Sequence, residues 1–323
     1  MIDQRIFAGI DIGGTNIKFG LFNEEGKILH KESRPTMADK GAQPLMHLVT
    51  NIAERLLFHA AEEEYDVRHL GVGTPGAVDF KSGQVIGPCP NIGGWQGMEI
   101  GNTLRDRLNM PIFVDNDVNA MALAESKFGV AKHANSVVCV TVGTGVGGAV
   151  IINGKLWRGA NYTAGELGHM TIKFDSDIEH SGVYGSIEGF CSSKAIIDRL
   201  KKVLKKNMTP AFEKILEGDL NNLNIRKLFS ALKLEDELAK QVLDETAYYL
   251  GVGLAGVVNL LNPEVVVIGG GIIEGGGGFV EAVAVEIKKY AFDSAVENIR
   301  IVRASMGNDA GFIGAGLLGE FIT

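Results

Sequence analysis

The sequence predicts a mixed α/β protein built from two related halves. Three observations carry this reading. Short apolar runs of strand length alternate with longer stretches of helical spacing. A strand, glycine-rich turn and strand occur twice. Gly9-Ile-Asp-Ile-Gly-Gly-Thr-Asn-Ile-Lys-Phe-Gly-Leu-Phe is followed by Glu25-Gly26-Lys27-Ile28-Leu29, and Cys139-Val-Thr-Val-Gly-Thr-Gly-Val-Gly-Gly-Ala-Val-Ile-Ile by Asn153-Gly154-Lys155-Leu156-Trp157. Finally, 323 residues suffice for two ordinary domains.

The elements follow in order. Arg5 to Asp11 reads as a strand stopped by Gly13-Gly14, Asn16 to Phe22 as a second and Lys27 to Glu32 as a third. Leu45 to Glu63 has helical spacing, with Leu48, Ile52, Leu56 and Ala60 on one stripe. Leu70 to Gly73 and Ile112 to Val114 are strands, Asp117 to Phe128 a helix, and Ser136 to Ile152 a hairpin with a glycine-rich middle. Helices are expected at Gly189 to Lys205, Thr209 to Leu216, Ile225 to Leu232 and Glu235 to Leu261. A buried strand at Val265 to Ile268, a helix at Phe279 to Tyr290, a strand at Ile299 to Arg303 and a helix at Ala310 to Glu320 complete the chain. The charged region Lys201 to Glu237 reads as a peripheral insertion. Gly251, Gly253 and Gly256 suggest a buried helix packed closely on a neighbour.

Composition narrows the function. Hydrophobic residues at 46% and charged residues at 22% indicate a globular chain. A net charge of -8 argues against a nucleic-acid partner. Cys89, Cys139 and Cys191 form no CxxC pair, which fits a reducing, cytoplasmic compartment. No secretory leader opens the sequence, and the apolar run Tyr248 to Leu261 is too short to cross a bilayer, so no membrane partner is expected.

The glycine turns suggest phosphate binding. In Asp11-Ile12-Gly13-Gly14-Thr15-Asn16-Ile17-Lys18, glycines admit phosphate oxygens to backbone N–H groups, Thr15 adds a hydroxyl donor and Lys18 a positive charge. Asp11 is placed to hold Mg²⁺ through water. The second turn, Gly143-Thr144-Gly145-Val146-Gly147-Gly148, would face the first across a polyphosphate. Either alone could be a tight β-turn without a ligand; the pair favours a clamp. Gly269, Gly270 and Gly271 follow a buried strand and suit either a nucleotide base or a crowded strand-to-helix turn.

On the acceptor side, Asn116 or Asp117 can cap the helix that begins there. A carboxylate at that position stays ionised and can take a proton from an alcohol, or can serve as the cap alone. Glu166, His169 and Glu188 offer hydrogen bonds to a polyhydroxylated ligand, and Asn91 is a loop amide that could serve it too.

Seven pieces in order resemble the ROK family of bacterial sugar kinases and repressors, within the actin-like ATPase superfamily. They are Asp11-Ile-Gly-Gly-Thr-Asn-Ile-Lys18, Thr74-Pro-Gly-Ala-Val-Asp79, Pro90-Asn-Ile-Gly-Gly-Trp95, Asn116-Asp-Val-Asn-Ala120, Gly143-Thr-Gly-Val-Gly-Gly148, Ala164-Gly-Glu-Leu-Gly-His169 and Asn262-Pro-Glu-Val-Val-Val-Ile-Gly-Gly-Gly271. The resemblance implies two actin-like (ribonuclease H-like) domains with an interdomain active-site cleft that closes on the sugar. It implies a smaller domain over 1–115, with a C-terminal helix over about 309–323 packed back on it, and a larger domain over 116–308 with a helical insertion over about 200–235. It further implies a glucokinase-like enzyme using ATP and Mg²⁺ on a hexose, working as a homodimer or a dimer of dimers. Asp117 matches the catalytic base, and Gly76, Asn91, Asn116, Glu166, His169 and Glu188 match the sugar-contacting positions.

N-acetylhexosamine, fructose and allose kinases of the family are alternatives, and some relatives use polyphosphate. A sugar-responsive repressor fits less well, since only ten residues precede Asp11. Family members commonly carry a histidine and a CxCGxxGC run that binds zinc. Here Glu179, Ser181 and Ser186 stand at the cysteine positions, so no structural zinc is expected.

Overall fold

The computed structural model describes residues 5–276 and 278–321. Internal contacts divide them into two units. One comprises the chain up to Asn135, Ala149–Gly165 and the chain from Ala304; the other comprises Ser136–Gly148 and Glu166–Arg303. Among the described residues no helix is long and apolar enough to cross a membrane.

The chain opens with strands β1 (Arg5–Ile12), β2 (Asn16–Asn23) and β3 (Ile28–Pro35), helix α1 (Ala42–Glu62) and strand β4 (Asp66–Thr74). A small hairpin of β5 (Val78–Asp79) and β6 (Gln84–Val85), helix α2 (Ile100–Leu108), strand β7 (Ile112–Asn116) and helix α3 (Asp117–Lys127) follow. The sheet order is β3-β2-β1-β4-β7, with β1 to β3 antiparallel and β1, β4 and β7 parallel. Leu45, Val49, Ile52, Leu56 and Ala60 bury one stripe of α1 in the core of this unit. Helix α2 has no counterpart in the sequence reading. Its exposed face is wholly polar, and only Ile100, Gly101 and Leu104 are buried, too few to mark a period.

The next strands are β8 (Val137–Val142), β9 (Val146–Ile152), β10 (Lys155–Leu156), β11 (Glu179–His180) and β12 (Val183–Tyr184). Helices α4 (Ile187–Cys191), α5 (Ser193–Leu204), α6 (Pro210–Leu216), α7 (Ile225–Leu232) and α8 (Glu237–Leu261) come next. Strand β13 (Val265–Gly269), helices α9 (Gly271–Glu274), α10 (Phe279–Tyr290) and α11 (Asp293–Val296), strand β14 (Arg300–Arg303) and helix α12 (Ala310–Leu317) end the chain. The second sheet has the order β10-β9-β8-β13-β14, and β8, β13 and β14 are parallel. Position for position this is the order of the first sheet. The duplicated glycine hairpin is therefore the first two strands of each.

Three expectations are corrected. The single helix over Gly189 to Lys205 is two: Ser192 takes an extended conformation (ψ 154°) and its Oγ accepts the Ala195 N–H at 3.3 Å, starting α5 afresh. The region Lys201 to Glu237 is not merely peripheral, because Phe212, Leu216, Leu228 and Phe229 enter the core of the second unit. Of the three glycines of α8, Gly251 is pressed on Glu286 and Gly253 on Ile187, but Gly256 is exposed, with open space where a Cβ would sit.

In the first unit α12 lies flat on the sheet. A Cβ on Gly9 would fall on the Phe312 carbonyl and one on Gly71 on the Ala315 carbonyl. On its other side a Cβ on Gly314 would fall on the Ala120 carbonyl of α3. The helix thus sits in a slot that only glycines leave open. Helix α3 is held in this unit by that contact, whereas the sequence reading places it after the boundary at 115. Residues 322–323 of the expected C-terminal helix lie outside the described residues. Gly71→Ala should lower stability by roughly 3 kcal/mol, as overpacking against rigid backbone does. Gly256→Ala should raise it by about 1 kcal/mol through helix propensity. Urea unfolding of the two variants beside the parent checks both signs.

Candidate active site

The first glycine hairpin is closed by Gly13 N–H donating to the Asn16 carbonyl at 3.1 Å. Behind it Thr36, fully buried, donates its hydroxyl to the Gly13 carbonyl at 2.6 Å and its N–H to the Thr15 carbonyl at 2.9 Å. Nothing in the sequence signals that Thr36 is the prop. Gly14 and Thr15 are exposed, and a Cβ on Gly14 would meet nothing within 4 Å, so the loop presents bare backbone outward. Lys18 is opposite Asp11 in the β1–β2 register, and its Nζ donates to the Asn308 carbonyl (3.1 Å) and Oδ1 (2.9 Å).

Asp11 sits at the end of β1 against the first turn of α12, where a Cβ on Gly311 would strike its carboxylate. Burial raises its pKa from 3.8 to about 6, and the charge of Lys18 partly offsets the rise. Among the described residues no group of three or more histidine, cysteine, aspartate or glutamate side chains is arranged to hold a metal ion. A lone, desolvated carboxylate suits Mg²⁺, which keeps waters and takes the rest of its ligands from phosphate.

At the end of β7 the cap of α3 is Asn116: its Oδ1 accepts from the N–H groups of Val118 (2.9 Å) and Asn119 (3.3 Å). Its Nδ2 donates to the Gly76 carbonyl at 3.2 Å, which joins two of the expected sugar-contacting residues. Asp117 is the first helical residue, with Oδ1 accepting the Val118 N–H at 3.0 Å. The capping role left open between the two thus belongs to Asn116, and Asp117 is held at the positive end of the helix. Gly73 connects the two carboxylates of interest: a Cβ there would lie 3.6 Å from Asp117 Cα and 3.7 Å from Asp11 Oδ1.

Beneath Asp117 is a buried ion pair that the sequence reading lacks. Arg158 Nε donates to Asp115 Oδ2 at 2.7 Å, and its guanidinium lies 3.7 Å from the centre of the Phe80 ring. Asp115 Oδ1 accepts from Asn119 Nδ2 and from the Asn116 N–H, both at 2.8 Å, so this pair braces the capping turn. No local pattern links Asp115 to Arg158. Asn91 is exposed in a loop anchored by Trp95, whose buried indole donates to Thr74 Oγ1 at 2.9 Å.

In the second unit a Cβ on Gly143 would lie 3.9 Å from the Gly271 N atom, so the second hairpin and the third glycine cluster are neighbours. Gly270 has φ +97°, and a Cβ there would strike Val142, so the crowded turn is real whatever else it holds. Thr144 lies in the same hairpin and is exposed. The role expected of Gly145 is modified: a Cβ would fall on Glu188 Oε2, so this glycine makes room for a carboxylate of its own chain. Glu188 Oε2 accepts the Val146 N–H at 2.7 Å. Glu166 and His169 are together, with Oε2 and Nδ1 3.3 Å apart, though His169 Nδ1 makes no hydrogen bond. Ile187 packs in the core, whereas Tyr184 is exposed.

The family model for ROK matches residues 7–320. The chain belongs to the ROK family. A glucokinase of Halalkalibacterium halodurans is 32% identical over 321 residues, covering 98% of this chain and 96% of that protein. A ROK glucokinase from Streptomyces griseus, solved with glucose and AMPPNP, superposes with a TM-score of 0.84 at 28% identity over 98% of both chains. A xylose repressor of Caldicellulosiruptor bescii is 29% identical, covering 97% of this chain and 77% of the repressor. The fold is thus the two-domain actin-like α/β fold of ROK kinases, and the family holds regulators beside enzymes.

The raised pKa of Asp11 has a consequence for stability. A carboxyl whose pKa rises on folding favours the fold only while protonated. That contribution is whole below about 4 and is lost as pH rises through about 6. Asp11→Asn should therefore be more stable than the parent at neutral pH, by about 3 kcal/mol from the shift in pKa, and no more stable at about pH 4. Urea unfolding at both pH values measures it; an equal gain at both would remove burial of the charge as its cause.

Proposed function

We propose that this ROK protein is an ATP-dependent hexose kinase that transfers the terminal phosphoryl group of ATP to glucose. The observation that carries the reading is the common neighbourhood of Asp11 and Asp117 around Gly73, because phosphoryl transfer needs a metal-holding carboxylate close to the base that deprotonates the acceptor. The bare backbone at Gly14 and Thr15 suits phosphate oxygens, and in the second hairpin the exposed Thr144 offers them a hydroxyl. Gly269, Gly270 and Gly271 suit the nucleotide beside it. Asp11 would hold Mg²⁺, which when bound would supply charge neutralisation on the phosphates.

Asp117, oriented by the Val118 N–H, takes the proton of the sugar hydroxyl as the phosphoryl group arrives. Gly76, Asn91, Asn116, Glu166, His169 and Glu188 are the residues that would contact the sugar. His169 Nδ1, paired with Glu166 Oε2 at 3.3 Å but without a hydrogen bond, supports such a role because it keeps hydrogen-bonding capacity for a ligand. That the Streptomyces griseus glucokinase was solved with glucose and AMPPNP supports the choice of donor and acceptor. The presence of Asp117 together with both glycine hairpins in one sequence favours a kinase over a regulator.

A coupled ADP-release assay over glucose, fructose, allose and N-acetylglucosamine should give the highest kcat/KM with glucose; the same rate without any sugar, or none with all four, contradicts the proposal. In that assay Asp117→Asn should lose about 10²–10⁴ in kcat. Glucose binding by calorimetry should be kept, because the variant removes a proton acceptor and little volume.

A further inference from the structure

In the loop that carries Glu188, both carboxylate oxygens are committed within the chain. Oε2 accepts the Val146 N–H at 2.7 Å, and Oε1 lies 2.8 Å from His180 Nδ1. The Glu188 side chain is only 13% exposed, so each of these bonds replaces water it has lost. A carboxylate accepts only, hence His180 donates from Nδ1, and the nearby Ser181 Oγ, 3.1 Å from that nitrogen, lies on the same edge of the ring.

The hairpin under His180 is built to hold it there. Glu179 pairs with Tyr184 and His180 with Val183. Glu179 also accepts the Gly182 N–H that closes the turn. Ser186 then caps α4 by accepting the Gly189 N–H at 3.2 Å. Glu188 is in the first turn of that helix, so its backbone is fixed while its long side chain is not. Two partners decide where the carboxylate points: the hairpin N–H on one side and His180 on the other.

We infer that His180 is a positioning residue for the sugar site. It fixes the Glu188 carboxylate beside the Gly143–Gly148 hairpin and thereby sets hexose affinity. This rests on Glu188 contacting the sugar, as proposed above. Without His180 one oxygen loses its donor, and the side chain, still tethered to Val146, can swing. A neutral or charged donor at the same distance restores the orientation, whereas a group of equal bulk without a donor does not.

His180→Ala should raise the KM for glucose about tenfold, the loss of one hydrogen bond to a charged group, with kcat changed much less. His180→Asn, which keeps a donor near the Nδ1 position, should recover most of that loss, and His180→Phe should not. Rescue by Phe instead of Asn, or an unchanged KM in His180→Ala, overturns the inference. A second readout needs no activity. Thermal unfolding of His180→Ala, Glu188→Ala and the double variant should be strongly non-additive, the double being hardly worse than the worse single. Additive shifts overturn the pairing. If the parent protein phosphorylates no hexose, the proposed function fails, and the unfolding cycle still decides whether His180 holds Glu188.

Discussion

The slot occupied by α12 is the constraint on which the first unit depends. Helix and sheet approach until backbone meets backbone, at Gly9 and Gly71 on one side and at Gly314 against α3 on the other. Such packing has no slack, since a single added methyl group has nowhere to go. Two catalytic candidates hang from it. Asp11 ends the strand on which α12 lies, with Gly311 against its carboxylate, and Asp117 opens the helix that Gly314 touches. Their common neighbourhood around Gly73 follows from this helix packing.

The same arrangement sets the electrostatics. Asp11 is half-buried, and burial raises its pKa toward neutrality, with Lys18 only partly compensating. A protein selected for stability alone would place no carboxyl there; one that must receive a divalent cation gains a strong ligand when the cation arrives. Asp115 is treated differently. Its carboxylate is more fully buried, but Arg158 and two N–H donors meet it, so it works as a brace for the Asn116 cap. Three aspartates close in sequence or space thus sit in different settings because their partners differ.

Much of the fold was legible because periodicity and glycine punctuation are local. The duplicated hairpin announced two sheets of like order, and the α1 stripe, α7 and α10 appear at their expected places. Helix α2 escaped because its buried face is three residues, and the break at Ser192 because one serine restarts a helix without interrupting the apolar pattern. At the candidate site the glycine turns, Asn116 and Asp117 could be read from residue type and spacing. Thr36 and Arg158 could not, since each acts on residues far along the chain, and the His180 contact could not, since only the β11–β12 hairpin turns His180 back onto Glu188. Gly145 is instructive in the same way: its sequence neighbours suggest room for a phosphate, while its spatial neighbour is Glu188.

The central claim is that Asp117 deprotonates the hexose hydroxyl that receives the phosphoryl group. A crystal structure with glucose, Mg²⁺ and a non-hydrolysable ATP analogue tests it most directly. An Asp117 carboxylate oxygen is expected within about 2.6–3.2 Å of the glucose 6-hydroxyl, with that hydroxyl facing the terminal phosphate. A glucose bound with Asp117 turned away from every hydroxyl, and another group in that place, would contradict it.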